Sequence, residues 1–223
     1  MADVDRRSRR RDRFFPMLFA GATALLALSG GAAAEAWKKI EAADSALIVA
    51  IPVLKDARPT YFDRSEDVEL AGSPGAKVTV DKAGYAASGH LGVFWYESFA
   101  GPMVWRSEGL RAVVEALDWI ADKNLTMSRT EQPYFRGNAE GSFRTFTYRP
   151  QTVDRPCVAA QYARSGAQIA ERVTMVICQP VGTTMDMAAA KKLVDGVGTK
   201  ALPPVPLGAA PRRFRRSCAA SGP

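Results

Sequence analysis

Apolar residues recur at helical spacing in two segments of the chain. In residues 108–123 they lie three or four positions apart, which is typical of an amphipathic helix; they are Leu110, Val113, Val114, Leu117 and Ile120. A second helix is predicted over residues 185–197, where Lys191 and Lys192 precede Gly196 near its end. Because an apolar helix face packs against a core, neither helix is assigned a function.

Strand-like segments fill the chain between these helices. They are short, rich in β-branched and aromatic residues, and separated by turn-forming residues; they cover residues 125–131, 143–149, 157–164 and 171–178. The order helix, four strands, helix predicts an α+β fold, in which an antiparallel sheet of four or more strands carries both helices on one face.

The upstream segments have weaker patterns. Residues 46–54, 77–80 and 91–97 are interpreted as strands. Residues 58–75 are mostly polar and are predicted to be turns, and residues 37–43 are interpreted as a short helix.

The N-terminal 34 residues have the pattern of an export signal. An arginine-rich start precedes an uncharged stretch over residues 14–34, where Ala32 and Ala34 form the A-x-A pattern that a signal peptidase cleaves. The mature chain is therefore predicted to begin near Glu35 and to be periplasmic. The alternative is retention as an inner-membrane anchor, since residues 14–34 are long enough to cross a hydrocarbon core about 30 Å thick.

The net charge of +7 is concentrated at the two ends of the chain. Residues 1–34 hold six arginines against three aspartates, and residues 201–223 hold four arginines and no acidic residue. The neutral middle argues against a nucleic-acid partner. Residues 201–223 are rich in Pro, Ala and Arg and are predicted to be disordered. Their basic cluster, residues 212–216, either contacts anionic lipid weakly or is a solvated end.

One domain is predicted over residues 35–200, and a disulfide is predicted within it. If residues whose numbers add to 335 face each other across a hairpin, Cys157 opposes Cys178 and Arg164 opposes Glu171. Directly opposed residues lie within disulfide range, and an exported protein meets oxidising conditions. Cys218 is left over, either as a free thiol or as an intermolecular bridge.

Catalytic and metal-binding patterns are scarce in this sequence. The single histidine, His90, lies in a turn-like Ser-Gly-His segment, and no nucleophile-elbow, phosphate-loop or dinucleotide motif is present. No metal site or cofactor is predicted. Carboxylates such as Glu97, Asp118 and Asp122 leave a carboxylate-dependent hydrolase as the tenable enzyme class.

One aromatic segment has the character of a binding surface. The candidate patch consists of Phe94, Trp95, Tyr96, Glu97, Trp105 and Arg106. On a strand, Phe94 and Tyr96 point to one side and Trp95 to the other, so the segment is either a central core strand or an aromatic surface for a ligand.

The region from about residue 140 to 200 resembles the end of small exported bacterial proteins of unassigned function. The resemblance rests on a cysteine-bearing strand, CVAAQYARSG, a returning strand, VTMVICQPVG, and a short amphipathic helix, MDMAAAKKLVDG. It implies an envelope location and a disulfide hairpin.

The sequence therefore predicts an exported, non-catalytic binding or accessory domain whose partner is an envelope protein or a cell-wall component. The alternatives are a carboxylate-dependent envelope hydrolase and, if the N-terminus is retained, a membrane-anchored accessory subunit.

Overall fold

The computed structural model describes residues 37–70, 73–100, 109–121, 124–165 and 169–205. The predicted signal, Trp105, Arg106, Asp122 and residues 206–223 with Cys218 lie outside this range. The strands are β1 (Lys38–Ile40), β2 (Leu47–Val49), β3 (Thr60–Leu70), β4 (Ser73–Ala87), β5 (His90–Ala100), β6 (Asn124–Met127), β7 (Gln132–Arg136), β8 (Ala139–Arg149), β9 (Arg155–Arg164), β10 (Ile169–Cys178) and β11 (Val197–Thr199). The helices are α1 (Leu110–Glu115), α2 (Asp118–Ala121) and α3 (Met187–Asp195), and a 3-10 turn covers Pro52–Leu54.

Nine of the described strands form one antiparallel sheet in the order β1-β3-β4-β5-β10-β9-β8-β6. β6 and β7 pair with successive parts of β8. Two meanders, β3-β4-β5 and β8-β9-β10, thus meet where β5 pairs with β10 at the centre of the sheet. The two short strands β2 and β11 form a separate ribbon. The predicted α+β fold with an antiparallel sheet is confirmed.

Both faces of the sheet are covered, because successive side chains of a strand point in opposite directions. On β10, Val173, Met175 and Ile177 join a core cluster that includes Ala190 and Val194 of α3 and Val197 of β11. Val176 and Cys178 join a second cluster with α1 and α2. The expectation that both helices pack on one face is not confirmed, since α1 and α3 lie against opposite faces.

The segment predicted as one helix over residues 108–123 contains two short helices in its described part. The N–H of Leu117 bonds to the carbonyl of Val114, three residues back, so the chain tightens between α1 and α2. All five predicted apolar positions are nevertheless buried; they are Leu110, Val113, Val114, Leu117 and Ile120.

Two upstream predictions are wrong. Residues 58–75, predicted as turns, contain all of β3 and the start of β4, and the two strands pair from Thr60 opposite Gly84 onward. Their backbone groups are satisfied by the neighbouring strand, whatever the polarity of the side chains. Residues 37–43 contain β1 instead of a helix, because residues 38–40 pair with β3.

The hairpin register predicted for β9 and β10 is confirmed. Cys157 lies opposite Cys178 and Arg164 lies opposite Glu171. The two cysteines form a disulfide with a Cα–Cα distance of 4.0 Å, and both are fully buried on the face covered by α1. Arg164 and Glu171 form an ion pair at 2.6 Å.

Arg136 fastens α3 to the edge of the sheet. Its guanidinium is buried and donates to the carbonyls of Val194, Asp195 and Val197. These carbonyls end α3 and begin β11, so one side chain from β7 supplies the donors that the helix end requires.

Residues 201–205, the first part of the predicted tail, have defined positions. The N–H of Val205 bonds to the carbonyl of Asp195 at 2.9 Å, and Leu202 packs against the core that contains α3. A Cβ on Gly198 would lie 2.4 Å from the carbonyl oxygen of Leu202, so this segment runs directly against β11.

Candidate functional site

A cleft of about 420 Å³ lies on the α3 face of the sheet, where the apolar core gives way to polar residues. It is bounded by β1, β3, β4 and β5, by the β1–β2 loop and by the residue that follows β11. This volume falls in the range of small-molecule sites. Its charged lining residues are Lys38, Asp44, Asp63, Asp81 and Lys200.

The floor of the cleft is one row of directly opposed residues that crosses four strands. Lys38 on β1 opposes Asp63 on β3, Asp63 opposes Asp81 on β4, and Asp81 opposes Tyr96 on β5. Directly opposed residues of neighbouring strands point to the same face, and their Cβ atoms are about 5 Å apart. Asp63 and Asp81 are therefore neighbours in the floor of the cleft.

Asp81 is the buried member of this pair, with 5% of its surface exposed. Its Oδ2 accepts hydrogen bonds from the Ser45 hydroxyl at 3.0 Å and from the Ala46 N–H at 2.6 Å. Burial raises the pKa of Asp81 above its ordinary value, and the negative charge of Asp63 adds to this rise. The bonds from Ala46 and Ser45 and the charge of Lys200 oppose it.

Asp63 offers an acceptor that the rest of the described chain does not use. Its Oδ1 is a buried oxygen with no hydrogen-bond partner among the described residues. A buried acceptor without a donor is costly, so a rotation of the side chain that brings this oxygen to a donor, from a ligand in the cleft or from the opposed Lys38, would be favoured.

The β1–β2 loop forms the outer wall and is tied down from two sides. Asp81 holds it at Ser45 and Ala46. Lys200 holds it through an Nζ bond to the carbonyl of Ala43 at 2.9 Å and a backbone bond to the carbonyl of Ala46 at 3.2 Å. One ammonium bond and the backbone N–H of Lys200 therefore serve the loop.

Tyr96 forms the inner end of the floor, and its hydroxyl already donates a hydrogen bond within the protein. Its hydroxyl donates to Glu171 Oε1 at 2.8 Å, and Glu171 in turn pairs with Arg164. Burial and the bond to Glu171 raise the pKa of Tyr96 above its usual range. This hydroxyl therefore remains protonated, and its bond to Glu171 fixes the position of the Tyr96 ring.

The aromatic patch predicted from the sequence is divided between the two faces of the sheet. Phe94 is fully buried and Tyr96 is nearly so. Trp95 is partly buried against the cluster beneath α1, and Glu97 pairs with Arg172 on the same face. None of these four side chains is fully exposed, so they do not form one continuous aromatic surface. Trp105 and Arg106 lie outside the described residues.

The other candidate groups do not join the cleft. The Nδ1 atom of His90 lies 3.2 Å from the carbonyl of Ser88, in the turn between β4 and β5. Among the described residues, no group of three or more His, Cys, Asp or Glu side chains is placed to hold a metal ion. No helix in the described part of the chain is long and apolar enough to span a membrane.

The sequence patterns do not predict this cleft. Asp63 lies in the segment predicted as turns, and no motif includes Asp81. A signal was nevertheless present, because Asp81 shares one strand face with Ala83 and Tyr85, both of which are core residues. A carboxylate in line with core residues indicates a site where the core ends.

Comparison with protein families, with curated proteins and with solved structures finds no match to this chain. The function is therefore inferred from the chemistry of the cleft.

Proposed function

We propose that this protein is an exported binding domain of the bacterial envelope that performs no catalysis and holds a positively charged group of its ligand in the cleft. The observation that carries the proposal is the buried Oδ1 of Asp63, which has no donor among the described residues and lies beside a second carboxylate. The ligand is a cell-wall component or an envelope protein.

An ammonium group fits the charges of the cleft. Three aspartates and two lysines line it, and Lys200 donates to the β1–β2 loop. An ammonium group supplies three donors and a positive charge, so it would satisfy Asp63 and offset the repulsion between Asp63 and Asp81.

The arrangement of the carboxylates supports binding over hydrolysis. In glycoside hydrolases the two carboxyl groups flank the bond to be broken and face each other across the substrate. Asp63 and Asp81 occupy directly opposed positions of neighbouring strands, so both lie in the floor of the cleft and do not face each other across it.

The test is a titration followed by NMR, with glucosamine as the charged probe and N-acetylglucosamine as its neutral match. Glucosamine is expected to shift the amide signals of Asp63, Asp81 and Ala46, and N-acetylglucosamine is expected to leave them unchanged. Asp63→Asn should weaken glucosamine binding several-fold. Asp154→Asn, at an exposed ion pair with Arg149, is the matched control and should bind as the unmodified protein does. Equal binding of both sugars would contradict the proposal.

A carboxylate-dependent hydrolase is the second candidate, favoured by the raised pKa of Asp81 beside Asp63. A carboxyl group with a raised pKa holds its proton to higher pH, and a protonated carboxyl group can act as a general acid. Hydrolysis of purified cell-wall polymer, abolished by Asp81→Asn and retained in Asp154→Asn, would establish this alternative and overturn the non-catalytic proposal.

The proposed location also has a direct test. The buried disulfide is compatible with an oxidising compartment. N-terminal sequencing of the protein from the soluble envelope fraction should begin at or near Glu35. An unprocessed N-terminus recovered from the membrane fraction would instead favour an accessory subunit anchored by residues 14–34. In either form, a weak contact of the arginines of residues 212–216 with anionic lipid is proposed, and it would compete with any contact that these arginines make to the folded domain.

A further inference from the structure

An exposed aromatic residue marks the edge of the sheet opposite to the cleft. Phe135 on β7 is 72% exposed, which is the largest exposed fraction among the large hydrophobic side chains that the structure describes. It shares a face with Pro133, Glu140 and Ser142, because Phe135 opposes Glu140 and Pro133 opposes Ser142. The surface formed by Glu131, Pro133, Phe135 and Glu140 is called the β7 patch below.

The β7 patch combines an apolar centre with negative charge. Glu131 and Glu140 are both exposed. The carboxylate of Glu131 accepts a hydrogen bond from the Ser142 hydroxyl, which holds it beside Pro133. Arg136, the next residue of the strand, is buried toward the opposite face, and the partly buried Arg144 donates to the carbonyl of Ser128. The patch therefore suits a segment that carries both arginine and an aromatic side chain.

The described chain ends at the strand that carries this patch, on the opposite face of the sheet. Val205 is bonded to the carbonyl of Asp195, and Asp195 accepts a hydrogen bond from the hydroxyl of Tyr134, the neighbour of Phe135 on β7. Leu202 lies close to Gly137 in the turn between β7 and β8, since a Cβ on that glycine would be 3.7 Å from Leu202 Cδ2. The segment after Val205 thus starts at the β7 edge.

We propose that residues 212–216, with the sequence Arg-Arg-Phe-Arg-Arg, dock onto the β7 patch of the same molecule. Phe214 packs on Phe135, and the flanking arginines pair with Glu131 and Glu140. Seven residue steps separate Val205 from Arg212 and span at most about 25 Å, enough to pass around the edge of a sheet about 10 Å thick. A short tether gives the segment a millimolar effective concentration, so weak contacts suffice.

The contact uses side chains and adds no strand to the sheet. Pro133 has no N–H, and proline on an edge strand blocks pairing by a further strand. The proposal thus goes beyond the cleft and concerns a separate surface.

Cys218 provides the probe for this contact, because Cys157 and Cys178 are joined to each other. A nitroxide attached to Cys218 should broaden the amide signals of residues 131–142 in the NMR spectrum at low salt. At about 1 M NaCl, where the Debye length is about 3 Å, the broadening should fall several-fold. Phe135→Ser and the double variant E131Q/E140Q should reduce it to a similar degree. Val181→Ser, at another exposed apolar residue, is the matched control and should leave it unchanged.

Two results would overturn the proposal. One is broadening that is absent at residues 131–142, or that is centred on another surface. The other is broadening that appears only between a nitroxide-labelled molecule and a second, isotope-labelled molecule in a mixed sample, which would assign the β7 patch to contact between copies. The spectra themselves show whether each variant is folded.

Discussion

The carboxylate of Asp81 accepts a 2.6 Å hydrogen bond from the backbone N–H of Ala46, thirty-five residues earlier in the chain. The bond joins the centre of β4 to the loop that closes the cleft, and the Ser45 hydroxyl donates to the same oxygen. One buried oxygen therefore holds the outer wall of the candidate site in place. Lys200 holds the same loop from its other side.

Asp81→Asn should change how stability depends on pH. Burial raises the pKa of Asp81 above 3.8, so between 3.8 and the raised value the folded state binds more protons than the unfolded state. The stabilisation from this group is complete below pH 3.8 and is lost as the pH rises through the folded-state pKa. The asparagine side chain keeps one oxygen for both donors and does not titrate.

The melting temperature of Asp81→Asn relative to the unmodified protein should therefore increase as the pH rises through this window. Thermal unfolding followed by circular dichroism at a series of pH values measures the difference. Asp154→Asn serves as the exposed control. A difference that stays constant, or that decreases with rising pH, would contradict the burial of a titrating carboxyl group at this position.

Arg136→Met should destabilise the fold by about 3 kcal/mol, because the carbonyls of Val194, Asp195 and Val197 each lose a bond from a charged donor. Only neutral donors then remain for two of them, the Val205 N–H for Asp195 and the Tyr162 hydroxyl for Val197. Arg149→Met is the matched control. Arg149 forms an exposed pair with Asp154, so its loss should cost less than about 1 kcal/mol. Urea unfolding gives both values, and equal losses would show that Arg136 does not fasten α3.

Replacing both Cys157 and Cys178 by alanine should reduce the free energy of unfolding by about 3 kcal/mol, mainly because the unfolded chain gains freedom. Both sulfurs are buried, so the native disulfide should also resist reduction until the protein unfolds. Cys218→Ala is the control and should leave stability unchanged. Mass spectrometry of unreduced peptides that found both thiols free in protein isolated from cells would refute the disulfide there.

Gly141→Ala should be among the most damaging conservative substitutions in the sheet. A Cβ at this position would lie 2.0 Å from the carbonyl oxygen of Gln161 and 2.5 Å from the Cα of Tyr162. The backbone of β9 would have to move, at a cost of about 3 kcal/mol. Gly84→Ala, on β4 of the same sheet, meets nothing within 4 Å and should be neutral or stabilise by up to about 1 kcal/mol. Chemical denaturation of the two variants in parallel checks the contrast.

Truncation should locate the end of the folded domain. At about 1 M NaCl, where the proposed contact of residues 212–216 is screened, a chain of residues 35–205 should melt at the temperature of residues 35–223. A chain of residues 35–200 should lose about 2 kcal/mol of stability. The shorter chain lacks the packing of Leu202 and the bond from Val205 to Asp195. Identical melting of both truncated forms would return the domain boundary to residue 200, as the sequence predicted.

Local sequence patterns predict the structure correctly where a residue's neighbours in space are also close to it in the sequence. The β9–β10 hairpin is the clearest case, because a short loop leaves few registers and only one opposes the cysteines while pairing Arg164 with Glu171. The five apolar positions around α1 and α2 were also correct. Their spacing marks a buried face even though the helix is broken at Leu117.

Contacts between segments that are distant in the sequence are visible only in the tertiary structure. β3 is a strand because β4 pairs with it, and nothing in its own polar sequence predicts this. Local residue patterns predict which positions are buried around α1 and α2, which strands form the β9–β10 hairpin, and that Cys157 and Cys178 can form a disulfide. Only the folded chain placed Asp63 beside Asp81, set the helices on opposite faces, and brought Val205 to the β7 edge. Strand pairing between distant segments is set by the total burial and hydrogen bonding of the whole sheet, a quantity that no local pattern contains.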